Sequence, residues 1–183
     1  FRNSGIVRKR MGDVTATVMN ENDIFLKVQK GSNKLHFRFV ASFFGQHGRF
    51  RAQTMEKQND GYKLYYRSDQ GYVRPFTEPT GTSDWSKMNH RKRQKVNFQL
   101  FELTVEISFQ RSAISLRLLS GGIANLPWKL EAILEPEGML ETRNLIVPGK
   151  EGNYVLLKED GFQYTRNYDT ITVRETGCPT RHQ

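Results

Sequence analysis

The sequence predicts an all-β protein, a large antiparallel β-sandwich of roughly ten to twelve strands. Three observations carry this. Apolar side chains recur at every second residue along most of the chain, the period of a half-buried strand. Clusters of Gly, Asn, Asp and Pro punctuate those runs at short intervals. No segment of useful length shows a helical period. The 12 Phe and 7 Tyr among 183 residues also suit pleated, half-buried surfaces.

The strands follow in order. Segment 13–18 (DVTATV) places Val14, Ala16 and Val18 on one face and threonines on the other. Segment 34–39 turns Leu35, Phe37 and Phe39 inward, and 61–66 repeats the pattern. The clearest case is 101–109 (FELTVEISF), which alternates five apolar with four polar side chains. Segments 112–119, 126–134, 154–158, 162–165 and 170–173 complete the set. Turns are expected at Gly31-Ser32, Asn59-Asp60-Gly61, Gly121-Gly122, Pro136-Glu137-Gly138, Pro148-Gly149 and Asp160-Gly161. Segment 77–95 (TEPTGTSDWSKMNHRKRQK) reads as a long exposed loop with a short helical turn around 84–90. Loops of this length are commonly functional or mobile. No repeat or boundary interrupts the chain, so residues 1–183 are expected to form one domain.

A chain of 183 residues buries enough surface to be stable without disulfides. The net charge is +9 and the pI is about 9.8. Such a surface attracts anions of any kind, or only counterions, and says nothing about fold. Cys178 is the one cysteine, so neither an internal disulfide nor a cysteine zinc site is available. No apolar run approaches the ~20 residues of a membrane helix, so no membrane is expected. The start at Phe1 points to a processed form or a piece of a longer chain.

Chemistry-bearing motifs are sparse. His36, His47, His90 and His182 form no close pair, so no metal is expected, and no cofactor. Glu102 and Glu106 share a strand face about 13 Å apart, beyond the usual separation of a glycosidase pair. They read as outward charges matched by basic neighbours. No nucleophile elbow, phosphate loop or dinucleotide fingerprint is present.

The basic run His90-Arg91-Lys92-Arg93-Gln94-Lys95 is the most unusual segment. Arg guanidinium forks suit carboxylate, sulfate or phosphate, and the nearby Trp85 offers a ring that stacks on a sugar or a base. Trp85, Arg91, Lys92 and Arg93 are therefore candidate ligand contacts. So are His47 and Arg49, in a glycine-flanked segment (Phe43 to Phe50) that reads as a strand-connecting turn. Tyr62, Tyr65, Tyr66 and Tyr72 form a second aromatic cluster. Aromatics interleaved with Lys/Arg on a strand, the mark of an RNA-binding sheet, are missing, which argues against nucleic acid.

The stretches 3–18, 30–45 and 164–173 resemble the β-sandwich domain of heparinase II/III-like proteins. The resemblance implies a helical toroid ahead of the sandwich, activity on acidic polysaccharide, and a periplasmic or secreted location. It transfers no catalytic residue, because the Tyr or His acid and base of such lyases lie partly on the toroid. The zinc histidines of some members have no matching pair here. The expectation is a non-catalytic, carbohydrate-binding module of a glycan-processing protein. Its partners would be acidic polysaccharide or a catalytic helical domain of the same parent. Two alternatives stand beside it: a polysaccharide lyase with an unrecognised site using His47 and a tyrosine, and a structural or protein-interaction domain.

Overall fold

A computed structural model describes residues 5–43, 46–111, 113–157 and 161–175. Among these, fourteen strands form three antiparallel sheets, more strands than the turn spacing indicated. The first sheet runs β1 (Ile6–Met11), β2 (Val14–Met19), β3 (Ile24–Lys30), β4 (Asn33–Phe43) and β10 (Trp128–Leu134), with β5 (Gln46–Arg49) added to β4. The second runs β6 (Thr54–Lys57), β7 (Gly61–Val73), β8 (Lys95–Phe109) and β9 (Ile114–Gly122). The third runs β12 (Ile146–Pro148), β11 (Met139–Glu141), β13 (Phe162–Arg166) and β14 (Asp169–Val173). No helix among the described residues is long and apolar enough to cross a membrane.

Alternation decides which faces meet. In β8, Phe101, Leu103, Val105, Ile107 and Phe109 are all buried, and so are Leu35, Phe37, Phe39 and Ala41 of β4. The first two sheets close on each other through these rows. Phe39 stacks on Phe101 with ring centroids 6.3 Å apart, and Phe50 meets Tyr66 edge-on at 5.7 Å. Each fully buried side chain of this size contributes about 1.5–3 kcal/mol by leaving water.

The third sheet is tied on by polar bonds as well as by its buried Phe162 and Tyr164. Asn33 is fully buried and donates to the carbonyls of Asp169 (2.6 Å) and Tyr164 (3.3 Å). The Asp169 carboxylate accepts from the Ser32 backbone N–H at 2.8 Å. The Tyr164 hydroxyl donates to the Glu135 carbonyl and accepts from the Gly138 N–H at 3.0 Å. Gly138 leaves room for that ring, since a Cβ there would lie 2.4 Å from Tyr164 Cζ.

Several expectations need correction. Residues 154–157 form no strand; the segment is a short apolar run that pairs with no strand, and Tyr154 and Leu156 stay exposed. Residue 158 lies outside the described part. Gly121 and Gly122 are not a turn: they extend β9 opposite Glu102 and Phe101. Gly122 has φ +91 and sits so close to the Leu100 carbonyl that a Cβ would approach it to 2.1 Å. His47 is not at a turn tip either: its backbone pairs with Ser42 inside β5, and residues 44 and 45 of the expected turn lie outside the described part.

Strands β7 and β8 run on past the Phe101 row. From Ser68–Phe101 the register continues to Val73–Lys95, with one irregularity between Gln70 and Tyr72. This two-stranded arm is what carries the long loop. Lys95 already belongs to β8, and the expected helical turn is a pair of 3-10 turns, Trp85–Lys87 and His90–Lys92.

Candidate functional site

The loop at the end of the β7–β8 arm carries Arg74, Lys87, Arg91, Lys92 and Arg93, with Lys95 next to it at the start of β8, against two acids, Glu78 and Asp84. Its shape comes from short local bonds. Asp84 opens the first 3-10 turn by accepting from the Ser86 N–H at 3.0 Å and the Ser86 hydroxyl at 2.7 Å. The Ser86 hydroxyl, then Lys87, hold the Asp84 carboxyl below its usual range. In the second 3-10 turn, His90 Nε2 lies 2.7 Å from the Trp85 carbonyl, and the two rings meet at 4.3 Å.

Arg93 clamps this assembly to the arm. Its Nε donates to the Arg74 carbonyl at 2.8 Å and an Nη to the Val73 carbonyl at 3.2 Å. Its guanidinium sits 5.4 Å from the Trp85 ring centroid and 5.6 Å from that of Phe76, within cation–π range. The predicted ligand contacts thus take different places. Trp85 remains 62% exposed, and Arg91 and Lys92 face solvent beside it. Arg93 is half-buried and bonded to the chain itself. Phe76 and Arg74, which complete the clamp, carry no sequence signal beyond lying near Pro75.

The second pair of predicted contacts is not drawn into this loop by any described bond. Arg49 donates to Asp23 at 2.8 Å, and Arg51 bonds the other oxygen of the same carboxylate. The Arg51 hydrogen bond first, then Arg49, outweigh burial and hold Asp23 below the usual carboxylate range. His47 is placed only by its backbone pairing, and its side chain lies outside the described part, as do Cys178 and His182.

The tyrosine cluster is split by alternation. Tyr62 and Tyr66 pack inward against Phe109 and Phe101, while Tyr65 points outward and donates to Glu102 at 2.5 Å. That bond to a carboxylate is the main reason the Tyr65 hydroxyl is raised above its ordinary pKa. Tyr72 is exposed on the arm. Glu102 and Glu106 face outward, 3.6 Å from Arg67 and 3.5 Å from Arg117, as the sequence indicated. An open depression of about 360 Å³ lies on this outer face, lined by Thr54, Glu56, Lys63 and Tyr65. Among the described residues no three His, Cys, Asp or Glu side chains cluster as a metal site would need.

The fold and the loop define a class, an antiparallel β-sandwich with a cationic, tryptophan-bearing arm. No protein-family model, curated protein or solved structure matches the chain.

Proposed function

We propose that this chain is a binding module for acidic polysaccharide, acting through Trp85, Arg91 and Lys92 at the end of the β7–β8 arm. The carrying observation is that Trp85 stays mostly exposed while Arg93 and His90 fix its ring from within the loop. An aromatic plane held in place loses little conformational freedom on stacking against a sugar ring. Arg91 and Lys92 then supply charge for sulfate or carboxylate groups on the same chain. On the heparinase II/III-like resemblance, a helical domain of the parent protein performs the catalysis and this module holds the substrate.

The test is retention on immobilised heparin at graded salt. Arg91→Gln/Lys92→Gln and Trp85→Ala should each elute at lower salt than the wild-type chain. Elution of both variants alongside the wild type would remove the loop from the account.

A further inference from the structure

The outer face of the first sheet carries a second concentration of positive charge, assembled by strand register. One row across the sheet reads Arg8, Thr17, Lys27, His36, Ile133, each paired with the next. The neighbouring row reads Arg10, Thr15, Gln29, Lys34. Paired strands lie about 4.8 Å apart and residues two apart on a strand about 6.6 Å, so these cations share one compact area.

The acids on this face are already engaged. Glu131 bonds Arg38 and Lys129, and Glu135 lies 3.4 Å from Lys34. For Arg8, Arg10 and Lys27, no carboxylate among the described residues lies within ion-pair distance. Arg8 and Arg10 are exposed and Lys27 is half-exposed. A folded sheet that gathers cations and leaves three of them without an acid gains no stability from the arrangement. Like charges on one face repel. An anionic ligand would reverse that sign.

The chemistry of the face selects among polyanions. Among the described residues of β1–β4 the exposed large apolar side chain is Ile6, and the rows through Arg8 and Arg10 carry no Phe, Tyr or Trp ring for base stacking, on which single-stranded nucleic acid binding relies. Thr15, Thr17 and Gln29 stand between the cations instead and offer donors and acceptors to hydroxyl groups. We propose that the outer face of the first sheet is a second binding surface for a sulfated or carboxylated polysaccharide, with Arg8, Arg10 and Lys27 as its principal contacts. It shares a ligand class with the loop reading above but none of its residues, and the two can fail separately.

The experiment compares three variants of the whole chain on heparin and on single-stranded DNA. Arg8→Gln/Arg10→Gln/Lys27→Gln empties the face. Arg91→Gln/Lys92→Gln empties the loop. Lys57→Gln/Arg143→Gln/Lys150→Gln removes three exposed charges elsewhere. Each lost contact should reduce the slope of log affinity against log salt by about one. The face variant is therefore expected to lose about three units of slope and to bind heparin at least ~10-fold more weakly at low salt. The control should keep the wild-type slope. A control that loses as much as the face variant overturns the proposal, and so does a face variant that binds as wild type. Equal or tighter wild-type binding to DNA overturns the polysaccharide assignment. If only the loop variant weakens binding, the loop reading survives and this one falls. Should the triple variant unfold, Arg8→Gln and Lys27→Gln singly carry the same test, at about one unit of slope each.

Discussion

Arg93→Lys keeps the charge of the loop and removes the geometry of its clamp. Lysine has one ammonium on a flexible stem, so it cannot hold the Arg74 and Val73 carbonyls and lie between Trp85 and Phe76 together. Two charge-assisted bonds at a half-exposed site contribute about 0.5–1 kcal/mol each after solvent screening, and each ring contact roughly 0.5 kcal/mol. The sum is about 2–3 kcal/mol. At 1.4 kcal/mol per factor of ten, the closed loop should become roughly 30- to 140-fold less favoured over open forms. The rest of the fold should be little affected, because the clamp lies beyond the Phe101 row. Amide hydrogen exchange is the assay. Faster exchange is expected at Met88, Lys92 and Arg93, whose N–H groups bond within the loop, with β8 core amides unchanged. Equal protection of the loop in Arg93→Lys and wild type would refute the clamp.

Three further outcomes follow from the fold. Tyr164→Phe strips the partner from two part-buried backbone groups and should cost about 2–3 kcal/mol, read as a lower urea midpoint at constant slope. Gly122→Ala forces a side chain into positive φ and against the Leu100 carbonyl, and should destabilise by more than about 1 kcal/mol in the same assay. His36 is held below its ordinary pKa, first by burial and then by Lys27, with Lys34 acting the same way and Glu135 opposing. Its unfolded form therefore takes up a proton that the folded form resists. Stability should be full above the unfolded value of about 6.5, then fall with pH until the folded pKa is passed. His36→Gln should flatten that segment of the stability–pH curve.

Much of the architecture is legible in the sequence wherever one face of a strand is buried and the other is wet. That is the case for β8 from Phe101 to Phe109 and β4 from Leu35 to Ala41, whose odd-numbered residues there are in the core. Legibility fails where the pattern is broken or borrowed. β3 buries both Phe25 and Leu26 at an irregularity, so its period of two is interrupted. β1 carries three consecutive cations because it is an edge strand, and β5 and β6 are short and polar. Residues 154–157 show the reverse: a short apolar run without a neighbour to pair with does not make a strand. The loop was visible as a basic run beside Trp85, but the division of labour within it was not. Arg93 bonds carbonyls 19 and 20 positions away, and no local pattern encodes such a bond. The cationic face is hidden for the same reason, since Arg8 and Lys27 become neighbours only through the pairing of β1, β2 and β3.

The most direct measurement is the fluorescence of Trp85 on titration with heparin, in a Trp128→Phe background that leaves one tryptophan. Sugar stacking on an exposed, fixed indole predicts a saturable shift of its emission, lost in Arg91→Gln/Lys92→Gln. Heparin bound to the protein with the Trp85 signal unmoved would contradict a polysaccharide site on the arm.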